Sequence, residues 1–385
     1  MLISKEIMRK RYESAIKIMK DKNLEAMFLI GDRQPGDELT GDLSYFTNTY
    51  IWYRHHCVLL FPDAEPVLIS ASWIQTQNIK RYCWIDDCRI VRSDEDVFNL
   101  IASILADKGV KSGRVGANLY YVSVAIEKFL KERLPDVELV EVHPDIMKLR
   151  LCPAPEEREL IKKSAELADG AYEYILPFIK PGVTENKIRG EIDNYLYEFG
   201  ATDCFTGVSA GRYSSVTGKN KSRFSYPPQA GLQKIEPGDM VWLEISPRYD
   251  GYWSQLVRYV QVSEPNPELE ETHSWVLKAI EIVIKGIKPG NTIGSMCRAL
   301  REEFPTHTSD YTLAHNIGHL CGLDLTDGNL LDDSEVVMTP GLSLIIHPSV
   351  LKPDGTGEIF GGETYMVTET GYERLMKSDD KIHVV

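Results

Sequence analysis

Residues 237–244 read Pro-Gly-Asp-Met-Val-Trp-Leu-Glu, and residues 340–347 read Pro-Gly-Leu-Ser-Leu-Ile-Ile-His. Each stretch opens on a turn pair and runs into an apolar strand. Seven positions after the proline each ends on a side chain of metal-ligand type, Glu244 in the first and His347 in the second. A second echo precedes them, since Ile179-Lys180-Pro181-Gly182-Val183-Thr184 returns as Ile287-Lys288-Pro289-Gly290-Asn291-Thr292, each time closing one helix and opening another. The copies stand 103 and 108 positions apart. Two near-equal offsets point to a domain built by duplication, with each half aiming a side chain at a shared site; a solenoid would need at least three repeats.

At 385 residues the chain exceeds the usual size of a single core, and 43% hydrophobic residues supply two. The first domain is expected over residues 1–150, where helical and strand patterns alternate: a helix to Lys22, strands at 26–30, 57–61 and 66–70, and helices near 97–105 and 122–130. This reads as an α/β layer domain with a mixed sheet. Cys152-Pro153-Ala154-Pro155-Glu156-Glu157 marks its end, with Pro155 and the acidic pair suited to a first helical turn. Residues 151–385 then carry helices over 155–178, 184–198, 267–285 and 292–303, with strands at 240–246, 252–262, 342–347 and 360–368. Paired helices and paired strands imply α+β, with the helices on one face of a curved antiparallel sheet and the site on the other.

The formal net charge of −14 argues against a polyanion partner, because nucleic-acid binding needs clustered Lys and Arg. Seven cysteines without a C-x-x-C pair read as reduced thiols; Cys321 beside the site reads as a buried small side chain rather than a nucleophile. No apolar leader opens the chain, and no run of about 18 apolar residues is present to span a membrane. Cytoplasm is the expected compartment. Gly-rich phosphate loops and G-x-S-x-G elbows are absent.

Four motifs carry the chemistry. Glu244-x10-Gln255 encloses Gly251-Tyr252 and is followed by Arg258; His315-Asn-Ile-Gly318-His319-Leu-Cys-Gly322-Leu323-Asp324 follows; then Pro340-Gly341 to His347-Pro348; then Gly362-Glu363 ahead of Val367-Thr368-Glu369-Thr370-Gly371-Tyr372-Glu373. Together they resemble the pita-bread family of creatinase, aminopeptidase P, prolidase and methionine aminopeptidase, with its D-x10-D, H-x-x-G-H-x-x-G-L-D, PG-to-EP and IED-x-x-x-V-T-E-x-G-x-E patterns. The resemblance covers essentially the whole chain. It implies a C-terminal pita-bread domain behind a creatinase-type N-terminal domain, and a homodimer.

The family's metal positions match Glu244, Gln255, His319, His347 and Glu363, where its peptidases use two Asp, one His and two Glu. Two divalent ions about 3.5–4 Å apart need anionic bridges, so Gln255 and His347 disfavour a dinuclear centre. Two imidazoles and two carboxylates suit one Mn, Fe or Zn ion. The other reading is a metal-free polar pocket that binds substrate directly, as in creatinase. Thr326 stands where family peptidases carry a substrate-polarising His, and Ser225-Tyr226-Pro227-Pro228 replaces another, so peptidase chemistry lacks its usual partners for a tetrahedral intermediate.

Glu244, Glu363 and His319 are the acid/base candidates, with Tyr226, Thr326 and Asp327 as hydrogen-bonding groups. Tyr252, His315 and Asp324 are candidate substrate-binding or supporting residues. Arg54 and His55, in the aromatic and cationic stretch 50–56, match a region that reaches the partner's site in creatinase-like dimers; an edge-strand surface explains them equally. The expectation is a hydrolase that uses one divalent metal ion and its activated water to cleave a C–N bond, amide or amidine, in a small polar molecule. Alternatives are a divergent Xaa-Pro peptidase, a C–C hydrolase or lyase on a small carbonyl compound, and a binding protein that keeps the fold. Substrate identity is not encoded in these motifs.

Overall fold

The computed structural model describes residues 3–31, 40–49, 54–213, 230–305, 310–314, 317–353 and 357–385. It divides into two compact units, Met1–Glu156 and Glu157–Val385.

The first unit has six strands, β1 (Ala26–Gly31), β2 (His56–Leu60), β3 (Val67–Ser70), β4 (Asp87–Ile90), β5 (Ser112–Ala117) and β6 (Asp136–Glu141). They form one sheet in the order β4-β3-β2-β1-β5-β6. The β1-β2-β3 meander is antiparallel and the flanking pairs are parallel, which makes the sheet mixed. Helices α1 (Lys5–Asp21), α2 (Gly41–Thr47), α3 (Thr76–Tyr82), α4 (Asp94–Asp107), α5 (Val124–Arg133) and α6 (His143–Arg150) complete it. Ser4, Ser93 and Ser123 cap α1, α4 and α5 by accepting a backbone N–H in the first turn. Phe28, Ile30, Leu59 and Ile69 pack against Ile101 and Leu105 of α4.

In the second unit the duplication is written in backbone hydrogen bonds. Helices α7 (Pro155–Ile175) and α8 (Glu185–Glu198) belong to the first half, α9 (Pro267–Lys285) and α10 (Ile293–Glu303) to the second. Thr184 caps α8 through Lys187 N and Thr292 caps α10 through Ser295 N. Gly182 N–H donates to Ile235 O, and Gly290 N–H donates to Met338 O, each at 2.9 Å. Gly182 and Gly290 hold φ of 89° and 91°, left-handed values that glycine adopts without strain. Each half therefore locks a Pro-Gly turn against the approach to its own central strand.

The remaining strands are β7 (Asp203–Gly211), β8 (Met240–Tyr249), β9 (Tyr252–Trp253), β10 (Leu256–Gln261), β11 (Thr312–Leu313), β12 (Gly318–Leu320), β13 (Ser343–Ile346), β14 (Ser349–Leu351), β15 (Ile359–Phe360), β16 (Gly362–Val367), β17 (Tyr372–Arg374) and β18 (His383–Val384). Nine of them build a curved sheet with the path β12-β13-β16-β10-β8-β7, while β11-β14-β15 form a small one. The strand expected over 252–262 is divided at Ser254 and Gln255. There Gln255 N–H donates to the Thr364 hydroxyl at 2.9 Å instead of to a ladder carbonyl.

Candidate active site

Strand alternation decides which side chains share the site. Val257 of β10 stands opposite Glu244 of β8 and Gly362 of β16, whereas Leu256 stands opposite Ile245 and Glu363. Ile345 of β13 stands opposite His319 and Thr364, and Ile346 stands opposite Glu363. One face thus carries Glu244, Gln255, His319, Gly362 and Thr364, joined by His347 at the end of β13. The other carries Leu256, Arg258, Glu363 and Tyr365. Helix α7 packs on this second face, with Ser164 hydrogen-bonded to the Ser254 hydroxyl at 2.9 Å.

The first face is a buried polar surface with aromatic walls. The His319 and His347 rings meet edge-on with centroids 5.1 Å apart; His347 lies 5.5 Å from Phe360, and Phe360 lies 5.5 Å from Trp242. Burial pushes His347 down to about 3, helped by His319 beside it, so it is a neutral imidazole near pH 7. Burial also lowers His319, against the opposing pull of the Leu320 and Leu325 carbonyls. His319 Nδ1 lies 3.1 Å from the Leu320 carbonyl, which only accepts, so Nδ1 carries the proton of the neutral ring. Burial alone raises the Glu244 carboxyl to about 7. Among the described residues no hydrogen bond or ion pair reaches the Glu244 carboxyl.

Glu363 is a correction to the sequence reading. It is not on the face of Glu244 and the histidines but clamped between two arginines on the α7 side, where Arg258 and Arg374 both donate to its carboxylate, Arg374 Nη2 at 3.0 Å. The Tyr365 hydroxyl adds a third donor at 3.1 Å. Arg258 also donates to the Asp379 carbonyl and Arg374 to the Ser378 carbonyl, so the cluster ties the C-terminal segment to the sheet. A one-residue shift along a strand reverses the face. Counted back from Val367-Thr368, the closing motif sets its Glu at Gly362 and its Asp at Glu363, and that count is the signal the sequence reading passed over. Gly362 adopts φ +153°, and a Cβ there would sit 1.8 Å from Ile346 O, so no side chain fits at that position.

The other candidates fall in several places. Tyr252 is buried, and its hydroxyl donates to Glu157 of α7 at 2.8 Å. That bond places Tyr252 in the sheet-to-helix packing, a correction to its expected substrate-binding role. Asp324 is buried in the turn after β12, where its carbonyl accepts from Gly322 N–H; Asp327 is buried nearby and Thr326 is exposed. Cys321 is a buried thiol pushed up to about 12, which leaves it protonated and unreactive. In the first unit Arg54 donates to the Arg92 carbonyl at 2.8 Å, and His55 Nδ1 lies 3.2 Å from Asp94. Tyr226 and His315 lie outside the described residues. Sequence reasoning missed Arg374, Thr364 and Ser246, whose parts emerge only from cross-strand register.

A divalent metal centre, which the family implies, does not fit the donors this face presents. Glu363 is turned away and neutralised by arginine, Gly362 offers no donor, and Gln255 supplies a neutral amide. Among the described residues no group of three or more His, Cys, Asp or Glu side chains is arranged to hold a metal ion. Nor is any helix among them long and apolar enough to cross a membrane.

Comparison with known proteins agrees with the fold. The profile of the Creatinase/Prolidase N-terminal domain matches residues 11–152, and that of metallopeptidase family M24 matches residues 159–369. The chain is 23% identical over 376 residues to an Xaa-Pro dipeptidase of Pyrococcus furiosus, covering 97% of this chain and all of that one. It is 26% identical over 348 residues to an ectoine hydrolase of Halomonas elongata, covering 84% and 85% of the two chains. The crystal structure of an X-Pro aminopeptidase from Thermotoga maritima superposes with a TM-score of 0.81 at 20% identity, over 97% of this chain and 99% of that one. With both domains matched along nearly their whole length, the chain belongs to metallopeptidase family M24 and is a hydrolase of that family.

Proposed function

We propose that this protein hydrolyses a C–N bond, amide or amidine, in a small polar molecule, and does so without the metal centre of its peptidase relatives. The observation that carries this reading is the donor set of the site face. Of the five family metal positions only Glu244 holds a carboxyl group, because Gln255, His319 and His347 are neutral and the last position is Gly362. The single-ion site expected from sequence counted Glu363 as a ligand, and its place between Arg258 and Arg374 removes that donor.

Glu244 suits proton transfer at neutral pH. A carboxyl near 7 exists in both forms, and a group whose pKa lies near the working pH serves best as base and then acid. As carboxylate it takes a proton from the attacking water while the water oxygen bonds to the substrate carbon. As carboxylic acid it returns that proton to the nitrogen as the C–N bond breaks. The neutral His319 and His347 offer hydrogen bonds to the tetrahedral intermediate. The relative named ectoine hydrolase is a family member whose substrate is not a peptide, and it supports the choice of a small molecule.

The test is elemental analysis of protein purified without chelator, paired with turnover of a panel of small amides and amidines before and after chelator dialysis. Turnover that survives dialysis, with less than a tenth of an ion per chain, is expected. Glu244→Gln should then lower kcat by about 10²–10⁴. A stoichiometric ion whose removal abolishes turnover, or efficient cleavage of Ala-Pro or Gly-Pro, would overturn the reading.

A further inference from the structure

A cavity of about 360 Å³ opens within the first unit, between α5, the turn 119–122 and β6. Sheet order accounts for the opening. Strand β6 ends the path β4-β3-β2-β1-β5-β6, and among the described residues no further strand pairs with it to continue the layer. Leu105, Leu130 and Leu134, buried members of this unit's core, form the floor. Val137 and Leu139, which strand alternation sets on one face of β6, line a wall and are only partly covered.

Three charged residues complete the lining: Glu127, Lys131 and Glu138. The first two neutralise each other, since Lys131 Nζ lies 2.6 Å from the Glu127 carboxylate one turn away on α5. Glu138 is different. Arg114 Nε stands 3.9 Å from its carboxylate, beyond hydrogen-bond reach, and Arg114 Nη1 donates to the Lys22 carbonyl instead. The Glu138 side chain is 70% exposed, so the mouth of the cavity carries one carboxylate in excess.

Small-molecule sites are mostly apolar concavities of about 300–1,000 Å³ in which a few polar groups fix orientation, and this cavity has that make-up. Its leucine floor takes hydrocarbon. The excess carboxylate at the mouth attracts one positive charge and repels a negative one. A cationic head held at the mouth keeps its water while the chain behind it is buried, so no ion has to be desolvated.

We infer that this cavity binds a free medium-chain primary amine, its alkyl chain against Leu105, Leu130 and Leu134 and its ammonium beside Glu138. The site is a second one, made by the first unit, and it does not depend on the hydrolase reading.

The probes are butylamine, hexylamine and octylamine, with octanoate as the same chain carrying the opposite charge. Titration calorimetry of the whole protein should show one amine per chain, with affinity rising about tenfold for every two methylenes until the cavity is full. At low salt octylamine should bind about tenfold more tightly than octanoate, a preference that shrinks in 0.5 M salt. Glu138→Gln, an exposed change that leaves the core untouched, should bring the two within about threefold. Leu139→Trp fills the cavity and should weaken octylamine at least tenfold, with its melting temperature showing that the chain is folded. Turnover of the amide and amidine panel should be unchanged in both variants. Affinity that ignores chain length, binding without saturation, or a preference for the amine that survives Glu138→Gln overturns the inference. So does undiminished binding to a folded Leu139→Trp; if that variant does not fold, the chain-length series and Glu138→Gln decide the matter.

Discussion

Glu244 and Glu363 are both buried in the same sheet, two strands apart, and their surroundings are opposite. Glu363 is held by Arg258, Arg374 and Tyr365 on the face covered by α7, while the Glu244 carboxyl, on the face it shares with His319 and His347, has no partner among the described residues. The difference separates two uses of a buried carboxyl. One is paired with two arginines and fastens the C-terminal segment; the other has no such partner among the described residues and is pushed by burial to a pKa of about 7. Burial alone would not tell them apart.

The largest effect is expected at Glu363. Replacing it with Gln leaves Arg258, itself buried, without its counter-ion, and removing one partner of a buried ion pair costs about 3–5 kcal/mol. Urea denaturation at pH 7 measures this directly. The stable fraction of Glu363→Gln should turn over the panel of small amides and amidines as the wild type does. A variant of full stability that had lost only turnover would return Glu363 to the active site.

Glu244 should show its isolation as a pH dependence of stability. Its folded pKa of about 7 lies above the ordinary 4.5, so the folded state binds the proton more tightly and the contribution to stability is fully present below pH 4.5. It is lost as pH rises to about 7, by about 3 kcal/mol at roughly 1.4 kcal/mol per pKa unit. Glu244→Gln removes the loss, so the variant should gain on the wild type through this window and hold the gain above it. Parallel stability curves for the two proteins would show that Glu244 is ionised in the folded state as in the unfolded one.

His347 works in the opposite sense. Its folded pKa of about 3 lies below the ordinary 6.5, so its contribution is present above pH 6.5 and is lost as pH falls toward 3. By pH 5 this amounts to about 2 kcal/mol. His347→Asn should flatten the acid limb by that amount, leaving the parts due to His319, which burial also lowers, and to His273, which burial lowers to about 4. An acid limb identical to that of the wild type would place His347 in contact with an anion.

How much of this was legible in the sequence follows from which physical rule each feature obeys. The duplicated Pro-Gly turns, the Thr184 and Thr292 caps and the long helices of the second unit depend on local chemistry, and they stand where their residues indicate. Glu244, Gln255, His319 and His347 stand in motifs whose spacing also fixes strand parity, and parity brings them to one face. The same parity gives the site face to Gly362 and turns Glu363, one residue further on, to the α7 side. Ser246 and Thr364 could not be read at all, since nothing local to either says which residue lies across the ladder.

The smallest effect tests the same division of faces at Tyr252. Its hydroxyl donates to Glu157 at 2.8 Å, and Glu157 keeps other contacts when that donor is gone, so Tyr252→Phe should cost about 1.5 kcal/mol, the low end for a hydrogen bond to a charged group. The ring stays, and with it the packing against α7. Because the hydroxyl is engaged on the helix-covered side, neither kcat nor KM should change by more than about twofold, close to the noise of a difference of a few tenths of a kcal/mol. A rise in KM with stability untouched would mean that Tyr252 leaves Glu157 to meet the substrate, and that the sheet opens at β9 to let it do so.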